Sequence, residues 1–204
     1  MEVINGSYTM YRNLILSNRN GEIVASAKSE DRNKLRAISV YDDPWFLTAM
    51  RTTKSSEYAV QDVQKSKLEP RKERSLVYSG GVRAGGEREG DPIGVVGILF
   101  DWDTEAKKIL GTCLPKNRDS ELIKGCAAFY TNSDHEIIET TDEEQFPVGK
   151  TISLPAAHGQ LKAGQSASGL FLQQDRRYIL GTSRTKGYRE YAGLAWSAHV
   201  VRPI

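Results

Sequence analysis

The sequence predicts an α+β protein of two tandem modules, each an antiparallel sheet of about five strands with flanking helices. Three observations lead there: a hairpin unit that occurs twice, a pair of β-rich runs that closes each half, and helix signals confined to the stretches between them. Ile23 of the first hairpin aligns with Ile137 of the second, an offset of 114 positions, whereas Leu76 and Tyr178 of the closing runs align at an offset of 102. The first copy therefore carries about a dozen extra residues in its middle, where a helical insert is expected.

Each half opens alike. Asn13 to Ser17 is a short apolar run, Asn18-Arg19-Asn20-Gly21 a turn whose Asn-Gly pair suits a tight hairpin, and Glu22 to Ala27 a second strand. Ala127 to Thr131, the turn Asn132 to His135, and Glu136 to Thr141 repeat the unit. In the first copy Asp43-Pro44 sets an acceptor at the N-cap and proline at the first position of a short helix through Arg51. Ser55 to Val63 reads as a strand, and Lys65 to Arg74 as a polar loop. Ser75 to Arg83 and Ile93 to Phe100 are strands joined by the loop Ala84 to Pro92. Asp101 to Leu110 reads as a helix capped by Asp103 or Thr104, and Gly111 to Glu121 as a connector. In the second copy Ser166 to Gln174, Arg177 to Thr185 and Ala195 to Arg202 are strands. The expected organisation is a first module over 1–110, a connector over 111–121 and a second module over 122–204. A pocket is expected beneath the mid-sequence helix of the first module.

The composition narrows function mainly by exclusion. With 204 residues, 28 Lys plus Arg against 26 Asp plus Glu, and a pI near 8.4, the chain is an ordinary globular protein. That pI lies below the value of about 9 that marks a nucleic-acid-binding domain, so nucleic acid is not the expected partner. No stretch approaches the ~20 apolar residues of a membrane span, and Met1 to Met10 has neither a basic nor an apolar leader region. Any membrane attachment would come through flanking segments. Cys113 and Cys126 have no metal-ligand spacing and read as structural, with a single bridge open to them.

Catalytic chemistry has little to work with. His135 falls in a turn, His158 in a polar loop and His199 in the last strand, none with an evident partner, and no cluster of ligand residues suggests a metal or other cofactor. The Gly80-Gly81-Val82-Arg83-Ala84-Gly85-Gly86 stretch precedes a strand rather than a helix, so it reads as a hairpin loop and not a phosphate cradle. The basic run Lys65, Lys67, Arg71, Lys72 and Arg74 alternates with Glu69 and Glu73 and reads as a solvated loop. The aromatic and acidic set of the first copy is more suggestive: Asp43, Trp45 and Phe46 at the short helix, Tyr58 and Asp62 at even spacing on a strand, Tyr78, and Asp101. Aromatic walls with a few carboxylates suit a cationic or amine-bearing small molecule. Equally, Trp45 and Phe46 read as core and Asp43 as a helix cap.

Asn20-Gly21-Glu22-Ile23-Val24, Asp43-Pro44-Trp45-Phe46, Tyr58, Ile93-Gly94-Val95-Val96-Gly97, Pro147-Val148-Gly149 and Gly187-Tyr188-Arg189-Glu190-Tyr191-Ala192-Gly193-Leu194-Ala195-Trp196 together resemble a double Cache sensor domain over nearly the whole chain. The resemblance implies two PAS-like modules, a membrane-distal one that usually binds ligand and a membrane-proximal one that often does not. It also implies an extracytoplasmic place in a bacterial chemoreceptor, histidine kinase or cyclic-dinucleotide enzyme, and a homodimer in the full receptor. Amino-acid-binding members hold the ligand carboxylate with an arginine two residues before the Trp and the ammonium with an aspartate ending the Gly-Val-rich strand. Here Asp43 and Leu99 stand at those positions. The resemblance therefore disfavours an α-amino acid and leaves an amine or a neutral ligand, because a buried carboxylate needs a paired cation. The long N-terminal helix of such domains, which carries dimer contacts, has no counterpart in this sequence. Two rival readings stay open: an interaction or dimerisation module whose pockets are filled by side chains, and a cytosolic PAS-like binder of haem or flavin.

Overall fold

The computed structural model describes residues 10–28, 32–68, 74–187 and 193–204. Two compact units divide the chain, 1–103 and 104–204. In the first unit, β1 (Tyr11–Asn18), β2 (Ile23–Ser26), β3 (Ala59–Lys65), β4 (Arg74–Val82) and β5 (Gly94–Phe100) form one sheet in the order β2-β1-β5-β4-β3. In the second, β6 (Ala127–Thr131), β7 (Ile137–Thr140), β8 (Ser166–Gln173), β9 (Arg176–Arg184) and β10 (Ser197–Pro203) form another in the order β7-β6-β10-β9-β8. The two orders are the same arrangement, and every neighbouring pair is antiparallel. The fold expected from the repeat is therefore present.

The hairpin that opens each unit shows how the sequence enforces the repeat. Asn18 Oδ1 accepts from the backbone N–H groups of Asn20 and Glu22, all at 3.0 Å, and 114 positions later Asn132 Oδ1 accepts from Asp134 and Glu136 in the same way. Gly21 sits in the left-handed region (φ 76°), where a Cβ would also lie 2.5 Å from the Tyr41 nitrogen. Only glycine meets both demands. At the equivalent position of the second hairpin stands His135, also left-handed (φ 61°).

The dozen extra residues of the first copy are not one insert. The β2–β3 connection covers 27–58 against 141–165 for β7–β8, and the β3–β4 connection covers 66–73 against 174–175 for β8–β9. The longer first connection holds α1 (Arg32–Leu35) and α2 (Pro44–Met50), and the second unit has one short helix there, α4 (Ala156–Gly159).

Three sequence expectations shift. The strand read from Ser55 begins at Ala59, because Glu57 accepts from the N–H groups of Thr53 and Lys54 and folds that stretch into a turn. The helix read from Asp101 is α3 (Trp102–Thr112); Asp103 lies inside its first turn and, instead of capping it, holds the Arg74 guanidinium at 2.7 Å. That ion pair joins the start of α3 to β4, and the division between units falls at 103/104 rather than at 110.

Alternation along the strands decides what each sheet buries. In the first unit Ile15, Val77, Val95 and Leu99 face one side with Trp45, Phe46 and Ala49 of α2. In the second, Phe129 stacks on Phe146 with ring centroids 4.8 Å apart, and Tyr178, Leu180 and Val201 complete the core. Tyr178 donates its hydroxyl to Gln145.

Candidate functional site

The helix that carries Trp45 is fixed at its start by sequence. Pro44 occupies the first helical position, and Leu47 N–H closes the first turn on the Asp43 carbonyl at 3.0 Å. The Asp43 carboxylate makes no capping bond and pairs instead with Lys67 Nζ at 2.8 Å. Trp45 and Phe46 pack edge to face, with centroids 6.2 Å apart, and both are buried. Ser79 Oγ donates to the Trp45 carbonyl at 2.9 Å, and the indole lies so close over Gly97 that a Cβ there would stand 3.0 Å from the ring. The hollow expected beneath this helix is thus filled by the tryptophan itself. An apolar ring and a side-chain-free strand position interlock, and burying the ring is favoured by the hydrophobic effect.

Two polar groups break that apolar surface. Gln61 of β3 and Ser75 of β4 share the side of the sheet that Val77 and Leu99 present to α2, and both are buried. Neither Gln61 Oε1 nor Ser75 Oγ has a hydrogen-bond partner. An unmade bond at a buried polar atom costs roughly 1–3 kcal/mol, so a pair of them in one core is expensive for folding and available for recognition. Sequence reading missed both, since a glutamine and a serine on a strand carry no chemical motif. Their inward strand positions, two residues from Ala59 and from Val77 and so on the same face, were the signal.

The remaining sequence-predicted residues do not join Trp45. Tyr58 and Tyr78 line a groove of about 540 Å³ on the opposite side of the sheet, with Met10, Tyr11, Val96, Ile98 and Phe100. Burial, with Tyr58 and Tyr11 adding to it, pushes the Tyr78 phenol above its ordinary range. Ser55, Ser56 and Glu57 also line this groove. The N–H donors of Thr53 and Lys54 hold the Glu57 carboxyl below its ordinary value. Asp62, expected to share a face with Tyr58, lies where the register of β3 shifts between Gln61 and Gln64, and its Oδ1 takes the Val63 N–H at 2.6 Å. Asp101 pairs with Arg12. A smaller cavity of about 390 Å³, lined by Lys54, Ser55, Ser56, Arg88 and Glu89, also lies in the first unit.

Other expectations resolve locally. The Gly-rich stretch is a hairpin loop, held by buried Arg83, which donates to the carbonyls of Gly90 (2.8 Å), Gly81 (3.2 Å) and Thr52 (2.7 Å). Of the basic run, Lys65 and Lys67 are exposed, Lys67 and Arg74 pair with Asp43 and Asp103, and Arg71 and Lys72 lie outside the described residues. So do Tyr188 to Ala192 of the resemblance motif. Cys113 and Cys126 are unbridged, and burial raises the Cys126 thiol. Among the described residues no group of three His, Cys, Asp or Glu side chains could hold a metal ion, and no helix is long and apolar enough to cross a membrane. His158 is not in a loop but on α4, buried, and both it and His199 bond to Thr182.

No protein-family model and no curated protein matches the sequence. Solved structures do. The chain is similar to the extracellular domain of the histidine kinase rpHK1S-Z16, with a TM-score of 0.69, 11% identity, and coverage of 100% of this chain and 75% of that one. It is similar to the sensor domain of the V. cholerae histidine kinase DctB (TM-score 0.62, 13% identity, 100% and 76% covered). It is also similar to the ligand-binding domain of the Pseudomonas aeruginosa PAO1 amino acid chemoreceptor PctB in complex with L-Arg (TM-score 0.58, 18% identity, 98% and 68% covered). The fold is that of sensor domains of histidine kinases and chemoreceptors, as the double Cache resemblance implied.

Proposed function

We propose that this chain is the small-molecule-sensing domain of a bacterial signal-transduction receptor, a chemoreceptor or sensor kinase, lying outside the cytoplasmic membrane, and that its first module receives the ligand. The observation that carries the proposal is the pair of buried, unpartnered atoms, Gln61 Oε1 and Ser75 Oγ, on the side of the sheet that the Trp45 helix covers. A site without its ligand has this character: it is collapsed, apolar, and short of hydrogen bonds that a guest would supply.

The chemistry of the guest follows from what is missing. Gln61 Oε1 is an acceptor and needs a donor, and Ser75 Oγ gives or takes one bond. An amine, or a neutral amide or alcohol, answers both. A free carboxylate would need a cation at the Asp43 position, which holds an aspartate already tied to Lys67. Asp43, Trp45 and Phe46 form the movable wall of this site, with Gln61 on the sheet.

The Asp43–Lys67 pair is a partly exposed latch, with Lys67 43% and Asp43 20% exposed, and such pairs are worth ~0.2–1 kcal/mol. Opening it frees the start of α2 from the segment that precedes β4. Ligand then biases the equilibrium between closed and open arrangements by its preference for one of them, and the output is non-enzymatic. Thermal-shift screening of the intact chain against primary amines, primary amides and α-amino acids tests the reading. Hits concentrated in the first two classes and weakened by Ser75→Ala support it. Hits confined to amino acids, or indifferent to Ser75, refute it.

One observation favours the interaction-module reading instead. The groove around Tyr58 and Tyr78 is apolar and open, as surfaces covered by protein are. On that reading the full receptor is a homodimer and the groove part of its contacts. Tyr78→Arg would then change the oligomeric state without touching ligand binding.

A further inference from the structure

All three histidines of the chain belong to the second unit, and the fold gathers them. His158 Nδ1 lies 2.8 Å from Thr182 Oγ1, Thr182 Oγ1 lies 2.9 Å from His199 Nδ1, and His199 Nε2 lies 3.0 Å from Thr131 Oγ1. His199 is fully buried, stacked on Phe129 with centroids 4.8 Å apart, and His158 is 3% exposed. His135 stands beside them: a Cβ on Gly159, the residue after His158, would lie 3.5 Å from its Nε2. Its backbone is left-handed, at the position glycine holds in the first module, and its Nδ1 is buried with no hydrogen-bond partner.

Counting protons shows what this relay tolerates. Thr182 has one hydroxyl proton between two imidazole nitrogens. It donates to one and accepts from the other, and Thr131 completes the chain at the far nitrogen. In either direction every bond is satisfied when each imidazole carries one proton. A second proton on His199 leaves these bonds intact, since the Thr182 and Thr131 oxygens can both accept, but it buries a cation against Phe129. Among the described residues, no carboxylate acts on it. Strand β6 presents Phe129 and Thr131, β9 presents Thr182, α4 presents His158, and the β6–β7 turn presents His135. Glu139 of β7 is in register with Tyr130, which points to the other side of the sheet from Phe129 and Thr131. The charges that act on His199 are those of His158 and His135, like charges once protonated.

We propose that this relay gives the protein a second input that reads protons: on acidification the second module opens and its open form takes up protons at His158 and His199, at a pH where the first module stays closed. Burial first, then His158 and His135, holds His199 down to about 3 from its ordinary 6.5, and burial also lowers His158. The closed module therefore refuses a proton that the open one accepts. Its advantage is complete above the ordinary histidine value and is lost as pH falls from there towards the folded one. Each histidine that takes up a proton on opening raises the open population up to about tenfold per pH unit.

Hydrogen exchange of the intact chain between pH 7 and 5, corrected for the intrinsic pH dependence of exchange, tests this together with NMR titration of the histidine ring protons. Amides of β9 and β10 should lose protection by up to about tenfold per unit relative to those of β4 and β5, and His199→Gln should flatten that slope. In the unmutated protein the His199 ring should stay neutral throughout this range. An equal loss in both modules, an unchanged slope in His199→Gln, or a His199 ring that titrates near its ordinary value would each overturn the proposal. The ring titration decides the matter even where the variant does not fold. Ligand takes no part in these measurements, so they stand apart from the sensing site of the first module.

Discussion

Trp45 in the first module and His158 in the second each stand on a short helix between the second and third strands and each face a glycine of the sheet, on central β5 in the first and on edge strand β8 in the second. The indole covers Gly97, where a Cβ would lie at 3.0 Å, and the imidazole covers Gly169, where a Cβ would lie 3.4 Å from Nε2. On the face that the first ring covers, farther along the sheet, are unpartnered polar atoms, and beside the second ring is a bonded chain of threonines and histidines. The difference teaches that the scaffold sets geometry while the ring on the helix, and what it faces, sets what each module can respond to. An apolar wall over unmade bonds suits a guest molecule. A neutral relay with every proton placed suits a proton.

Breaking the first half of the comparison has the largest effect. Trp45→Ala empties the space over Gly97 and should destabilise the first module by ~3–5 kcal/mol, read from denaturant unfolding. Gly97→Ala forces a methyl against the same ring and should cost ~1–3 kcal/mol by the same measurement. A sharper test changes the sign. Ser75→Ala removes a buried hydroxyl that bonds to nothing, so stability should rise by about 1 kcal/mol, visible as a higher midpoint, while ligand response falls. An unchanged midpoint would mean that the hydroxyl finds a partner in solution. Asp43→Asn loosens the latch to Lys67 and should cost no more than ~1 kcal/mol, with a salt dependence smaller than that of the unmutated protein.

Much of the scaffold was legible because it is written in local chemistry. Asn18 and Asn132 build the same turn with the same bonds, and the nine-residue strands Arg74–Val82 and Arg176–Arg184 sit at the offset the sequence suggests. The candidate site was legible only in part. Spacing says which residues share a face but not which face meets the helix, so Tyr58 and Tyr78 were grouped with Trp45 although they lie across the sheet from it. Asp62 falls at the irregularity in β3, which spacing along the sequence does not reveal. Gln61 and Ser75 matter for bonds they do not make, which no pattern of residue types expresses. The histidine relay joins positions 131, 158, 182 and 199, and only the β6-β10-β9 pairing with α4 above it brings them together.

Calorimetric titration of the primary amine or amide giving the largest thermal shift, into the unmutated chain, Gln61→Leu and Tyr78→Ala, tests the ligand site most directly. Loss of about tenfold or more in affinity for Gln61→Leu, with Tyr78→Ala unchanged, is the predicted result. Full affinity in Gln61→Leu, or its loss in Tyr78→Ala alone, would move recognition to the far side of the sheet and contradict the account.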